Sequence, residues 1–215
     1  MAHQQSEGSA TPLGRHSLTP SLRLLGLAPL AFFVLHAHYH VGQETAGHLL
    51  WVCTLSNLLL SLGLLLNLPV LIRVAAMWLI LGLPLWALDL YEQAMWPVST
   101  FLTHLGGLAV GLLGLTRVRA ARRLWAYGFV WYLGLQLAAR LLTRSELNVN
   151  LAHEVHGGWG TLFDSYWKFS IFMGLVVAAL LWLTSLAMLK LFPPVMSHRT
   201  KRGAYGGDSV NPEAA

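Results

Sequence analysis

The sequence predicts an all-α, polytopic membrane protein of about six transmembrane helices, because runs approaching the roughly 20 apolar residues that cross a bilayer recur along it. Composition points the same way. Of 215 residues, 55% are hydrophobic and 11% charged, against the roughly 25% charged residues of an average soluble domain. So few charges cannot cover a water-facing surface.

Taken in order, residues 1–21 are polar and rich in Ser, Gly and Gln. They lack the apolar stretch and small-residue cleavage motif of a removable signal, so the reading is a disordered tail with the first span as its own signal anchor. The spans follow at 22–38, 49–67, 70–88, 98–116, 124–142 and 166–192, within one transmembrane domain over 22–192. Pro69 is placed to start the third and Pro84 to bend it. Residues 193–215 follow Pro193-Pro194, carry Gly203, Gly206 and Gly207, and read as a second disordered tail.

The net charge of +5 does not imply a nucleic-acid partner, because the basic residues fall in short loops and tails, where they set topology. With about six spans, Arg15, Arg23, Arg73, Arg117, Arg119, Arg122, Arg123, His198, Arg199, Lys201 and Arg202 share one side, which makes both termini cytoplasmic. The expected location is therefore integral and multi-pass, in a plasma or bacterial inner membrane. Membrane lipids are the expected partners, alongside a helix-packing protein or a second copy of the chain. Trp51, Trp86, Trp96, Trp159 and Trp167 fall near the outer ends, as an interfacial belt does.

Polar residues inside spans are costly and form the natural list for a site. The second span carries Cys53, Thr54, Ser56 and Asn57; the fourth carries Thr100, Thr103 and His104. At about 1.5 Å rise per residue, Cys53 lies about 7 Å below His48 and His104 about 10 Å below Pro97, so a thiol and an imidazole share a depth on spans entering from one side. An imidazole that takes a thiol proton leaves a strong nucleophile, the arrangement of covalent acyl transfer. Asn57 shares the Cys53 face and either supports an oxyanion or ties helices together. Gly107 and Gly111 have the spacing of close helix packing. Arg140 and Asp89, near outer span ends, form an expected pair.

The single cysteine excludes an intramolecular disulfide and any multi-cysteine zinc or iron–sulfur site. Ten histidines raise a metal-binding alternative through His36, His38, His40, His153 and His156. On a helix, however, His36 and His40 share a face that His38 does not. No cofactor is expected: a haem between spans needs two histidines at matching depth, and His104 is the deep one.

Cys53-Thr54-Leu55-Ser56, Asp89, His104 and the stretch Asn148-Val149-Asn150 to Leu162-Phe163-Asp164-Ser165-Tyr166-Trp167 resemble, in order and layout, the bacterial YwaF-like integral membrane proteins. That family is similar to a eukaryotic transmembrane ether-phospholipid acyltransferase and, more distantly, to androgen-induced hydrolases of fatty-acid esters. The resemblance implies Cys53 as nucleophile and His104 as base, with Thr54 the nucleophile in the threonine variant. Thr54, Asp89, Asn148, Asn150 and Asp164 are the expected substrate-side residues, and a lipid acyl group the expected substrate. The expectation is an acyltransferase or lipid-ester hydrolase near the outer leaflet; the alternative is a non-enzymatic membrane subunit or metal-binding protein.

Overall fold

A computed structural model describes residues 18–92, 97–118 and 123–192, with the backbone alone at 89, 91 and 92. Most of both tails, Trp96, Arg119, Arg122 and the side chain of Asp89 thus lie outside the described residues. The described chain is helical, with no strand. Its long rods are α1 (Pro20–Gly42), α2 (Val52–Leu65), α3 (Pro69–Glu92), α4 (Val98–Leu115), α5 (Leu124–Leu142) and α6 (Tyr166–Leu191). Four stretches among the described residues, α1, Pro69–Leu88 of α3, α4 and α6, are long and apolar enough to cross a membrane.

The distribution of polarity is that of a chain solvated by lipid. Val34 and Leu35 of α1, Val130 and Leu137 of α5, and Ile171 and Leu175 of α6 are exposed, whereas Ser56, Asn57, Ser61, Thr103 and Ser185 are buried. Water would reject so large an apolar exterior. Polar groups inside are what hold helices together where the solvent is itself apolar.

α3 is the central rod: 56% of its apolar window is buried inside the fold, against 17% for α1 and α6. Pro69 opens it, where the missing N–H costs nothing, and the helix continues through Pro84. Ile72, Ala75, Ala76, Met77 and Leu79 of α3 meet Leu60 and Leu64 of α2 and Leu181 of α6 in one core. Small residues set the close approaches. Gly111 of α4 faces Ala76, and a Cβ at Gly128 of α5 would overlap the end of Met77. The Gly107 and Gly111 spacing thus serves helix packing.

Two helix starts and one winding differ from expectation, and α1 and α3 run on to Gly42 and Glu92 rather than ending at 38 and 88. The first helix starts at Pro20, two residues early, because Thr19 caps it and the Leu18 N–H donates to Asn67 Oδ1 at 3.2 Å. The second begins at Val52 rather than 49, after a 3₁₀ turn over Ala46–Leu50. Its cap comes from far along the chain: Asn150 Oδ1 accepts from Val52 N at 3.0 Å, and its Nδ2 donates to Leu50 O at 2.8 Å. The fourth contains a π-helical turn, Leu102–Gly106.

Candidate functional site

The π turn and a side chain from α2 are locked together. The N–H of Gly107 bonds to Leu102 O and His104 O, and Thr103 O accepts from Asn57 Nδ2 at 3.0 Å. The second Asn57 amide hydrogen goes to Cys53 O at 3.2 Å. Both donors are spent, so Asn57 ties α2 to α4 and presents no hydrogen to an oxyanion. Its Oδ1 has no partner among the described residues and lies where a Cβ on Gly107 would be. π turns recur at functional sites because they re-aim side chains, and this one carries His104.

His104 Nδ1 lies 2.9 Å from Thr100 O. Its ring stacks on the Trp86 indole of α3 with centroids 4.7 Å apart and planes within 6°. Trp86 is therefore buried and no part of an interfacial belt; its N–H has no acceptor among the described residues. One helical turn before it, Gly82 receives the Cys53 side chain, and a Cβ there would overlap the sulfur. Cys53 and His104 thus border consecutive turns of α3, about 6 Å apart along its axis. Cys53 is the second residue of α2, because the helix begins at Val52. Thr54 beside it is buried.

A chain of histidines adjoins this centre. His36 is buried, and its Nδ1 lies 3.1 Å from Ser99 Oγ of α4. His36 Nε2 and His40 Nε2 are 3.2 Å apart, and His40 Nδ1 is 2.8 Å from Thr45 Oγ1. The His48 ring centroid is 5.2 Å from that of His40. His48 and His104 both lie within electrostatic range of His36. A consistent neutral assignment runs one way: the Ser99 hydroxyl donates to His36 Nδ1, His36 Nε2–H to His40 Nε2, and His40 Nδ1–H to Thr45 Oγ1. Each imidazole both accepts and donates, so the chain also runs in reverse.

The remaining expected residues divide. Asn150 comes next to the Cys53 end of α2, but its amide caps the helix and its carbonyl accepts from Gln136 at 2.8 Å. Asn148, in the left-handed region at φ 37°, accepts the N–H groups of His153 and Glu154 and donates to Glu154 O. It organises the loop between α5 and α6. Asp164 is exposed and ion-pairs with Lys168 at 2.8 Å. Arg140 bonds to Ala152 O at 2.6 Å and lies over the Tyr166 and Trp167 rings.

The metal set does not assemble. His36 and His40 meet, while His38 and His156 are exposed and His153 bonds to Thr143. Among the described residues, no three His, Cys, Asp or Glu side chains are placed to hold an ion.

Sequence reasoning passed over Gly82, Ser99 and the role of Trp86. The four-residue step from His36 to His40 was the one available signal of the histidine chain. Protein-family models, curated proteins and solved structures were compared with the chain, and none matches.

Proposed function

We propose that the protein is a membrane-embedded acyl-transfer enzyme acting on a lipid ester or thioester, with Cys53 as nucleophile and His104 as base. The observation that carries this reading is Trp86. Its indole lies against His104, its N–H is buried without an acceptor among the described residues, and one turn away Gly82 holds the thiol. A buried, unspent donor on the ring that packs against the base is what a developing oxyanion requires.

In the reaction, His104 takes the Cys53 proton and the sulfur attacks the acyl carbonyl. The carbonyl oxygen becomes an oxyanion facing Trp86 Nε1–H. Collapse breaks the bond to the leaving oxygen or sulfur, which recovers the proton from His104 and leaves a thioester on Cys53. Water or a lipid hydroxyl then attacks the thioester with His104 again as base, releasing acid or a new ester. The step needs thiol and imidazole within hydrogen-bond reach, directly or through one water.

The same reading sets six spans with both termini on the cytoplasmic side of a plasma or bacterial inner membrane, supported by the basic residues at one end. Membrane lipids then reach the centre laterally. The test is incubation of the purified chain with a long-chain p-nitrophenyl ester in detergent, followed by intact-mass analysis. An acyl adduct on Cys53 that decays on addition of a lipid alcohol supports the proposal. Nitrophenol release equal in wild type and Cys53→Ala, with no adduct, rejects it.

A non-enzymatic packing role has one observation in its favour. Asn57 spends one amide hydrogen on Thr103 O of the neighbouring helix and the other on Cys53 O of its own, and Cys53 fills the space above Gly82, as packing residues do. That reading gives the buried Trp86 N–H no purpose.

A further inference from the structure

At the opposite end of the bundle, Arg73 occupies the second turn of α3 and is only 8% exposed. Its Nε is fully buried and has no acceptor among the described residues. A guanidinium does not lose its proton, so burial cannot be relieved by neutralisation. A buried guanidinium N–H without an acceptor carries the full cost of its lost hydration.

Among the described residues, no carboxylate pairs with Arg73. Between residues 18 and 192 the carboxylates are Glu44, Asp89, Glu92, Glu146, Glu154 and Asp164, and all fall at the other ends of the rods. The Arg73 end carries cations instead: Arg23, whose guanidinium donates to Leu65 O at 2.8 and 2.9 Å, and the exposed Arg117, Arg123 and Lys190. Such a field concentrates anions.

Arg73 also lines a notch, with Leu115 at the end of α4, Val118, Leu124 at the start of α5, and Ser185 and Phe192 at the end of α6. The cavity volume is about 10 Å³, room for about one oxygen-sized group. A whole headgroup does not fit, but one oxygen of a phosphate does. Apolar walls then suit the attached chain.

We propose that this notch is an anion site taking a phosphate group, with Arg73 as its fixed cation and Ser185 as the adjoining hydroxyl. The phosphate belongs to an anionic phospholipid or is free in solution; the chemistry at Arg73 is the same. The site is remote from Cys53 and does not depend on acyl transfer.

The test is native mass spectrometry of the full chain in detergent, titrated with phosphatidylglycerol, phosphatidylcholine or inorganic phosphate. Wild type should retain phosphatidylglycerol in preference to phosphatidylcholine. Arg73→Met should lower that affinity about tenfold, as losing a hydrogen bond to a charged group does. Because Arg73→Met perturbs a buried position, Val118→Glu provides a second variant: a carboxylate at the rim should occupy Arg73 and abolish the preference with the fold intact. Inorganic phosphate that displaces the lipid, and is itself lost in both variants, identifies a free anion as the ligand. Equal retention of both lipids with no phosphate bound, or a preference unchanged in both variants, overturns the proposal.

Discussion

Trp86 separates the catalytic reading from a packing reading at the level of single side chains. Trp86→Phe keeps an aromatic ring against His104 and deletes the N–H. Acylation of Cys53 should fall on the order of a hundredfold, as when an oxyanion donor is removed, while thermal stability moves little. Gly82 tests the placement of the thiol. A methyl at Gly82 overlaps the sulfur, so Gly82→Ala should cost about 1–3 kcal/mol, the usual penalty of overpacking. Cys53→Ala in the same chain should relieve most of it, and denaturant titration of the four proteins in the cycle measures the coupling. Asp164 shows what an exposed pair contributes. Its hydrogen bond to Lys168 holds the carboxyl below the usual range, so the pair persists above the carboxyl's ordinary titration and is lost as pH falls through the lowered one. Both side chains are largely in solvent, and Asp164→Asn should leave the thermal midpoint where it was. Among residues, Cys53 and His104 stood out by type, whereas the start of α2 at Val52 puts Cys53 in its first turn rather than two turns down. Gly82 did not stand out, because the absence of a side chain has no meaning until a neighbour fills the space.

Elements show where local sequence stops being sufficient. The helices were legible because each apolar run is long, and Pro69 marked the start of α3 at its first helical position. The start of α2 was not, since its cap is Asn150, 98 residues from Val52. Asn150→Ala leaves Val52 N–H and Leu50 O without that partner and should cost about 1–2 kcal/mol, within the range of a lost helix cap, as read by thermal unfolding in detergent. The π turn was hidden for a related reason. A helical wheel assumes uniform winding, and the winding changes where Asn57 from another helix donates to Thr103 O. His104 therefore points where a wheel drawn from the sequence does not place it. Depth along the axis survives such a turn, whereas the direction that brings His104 against Trp86 does not follow from the sequence.

For the whole molecule, the apolar exterior follows from composition, and the segregation of charge follows from the loops. Every carboxylate between residues 18 and 192 falls at one end, and most of the basic residues at the other. A reporter fused to either terminus should therefore report the cytoplasm, and one inserted at Gly158 in the loop before α6 the opposite side. What composition does not reveal is that four helices converge on one centre, since convergence depends on packing between segments far apart in sequence. The central claim is that Cys53 is a nucleophile activated by His104. Its most direct measurement is labelling of the purified membrane protein with a lipid-like, thiol-reactive acyl probe, comparing wild type with Cys53→Ala and His104→Ala. The account predicts labelling that vanishes in Cys53→Ala and falls steeply in His104→Ala. Weak labelling unchanged by His104→Ala would contradict it and leave Cys53 an ordinary packing residue.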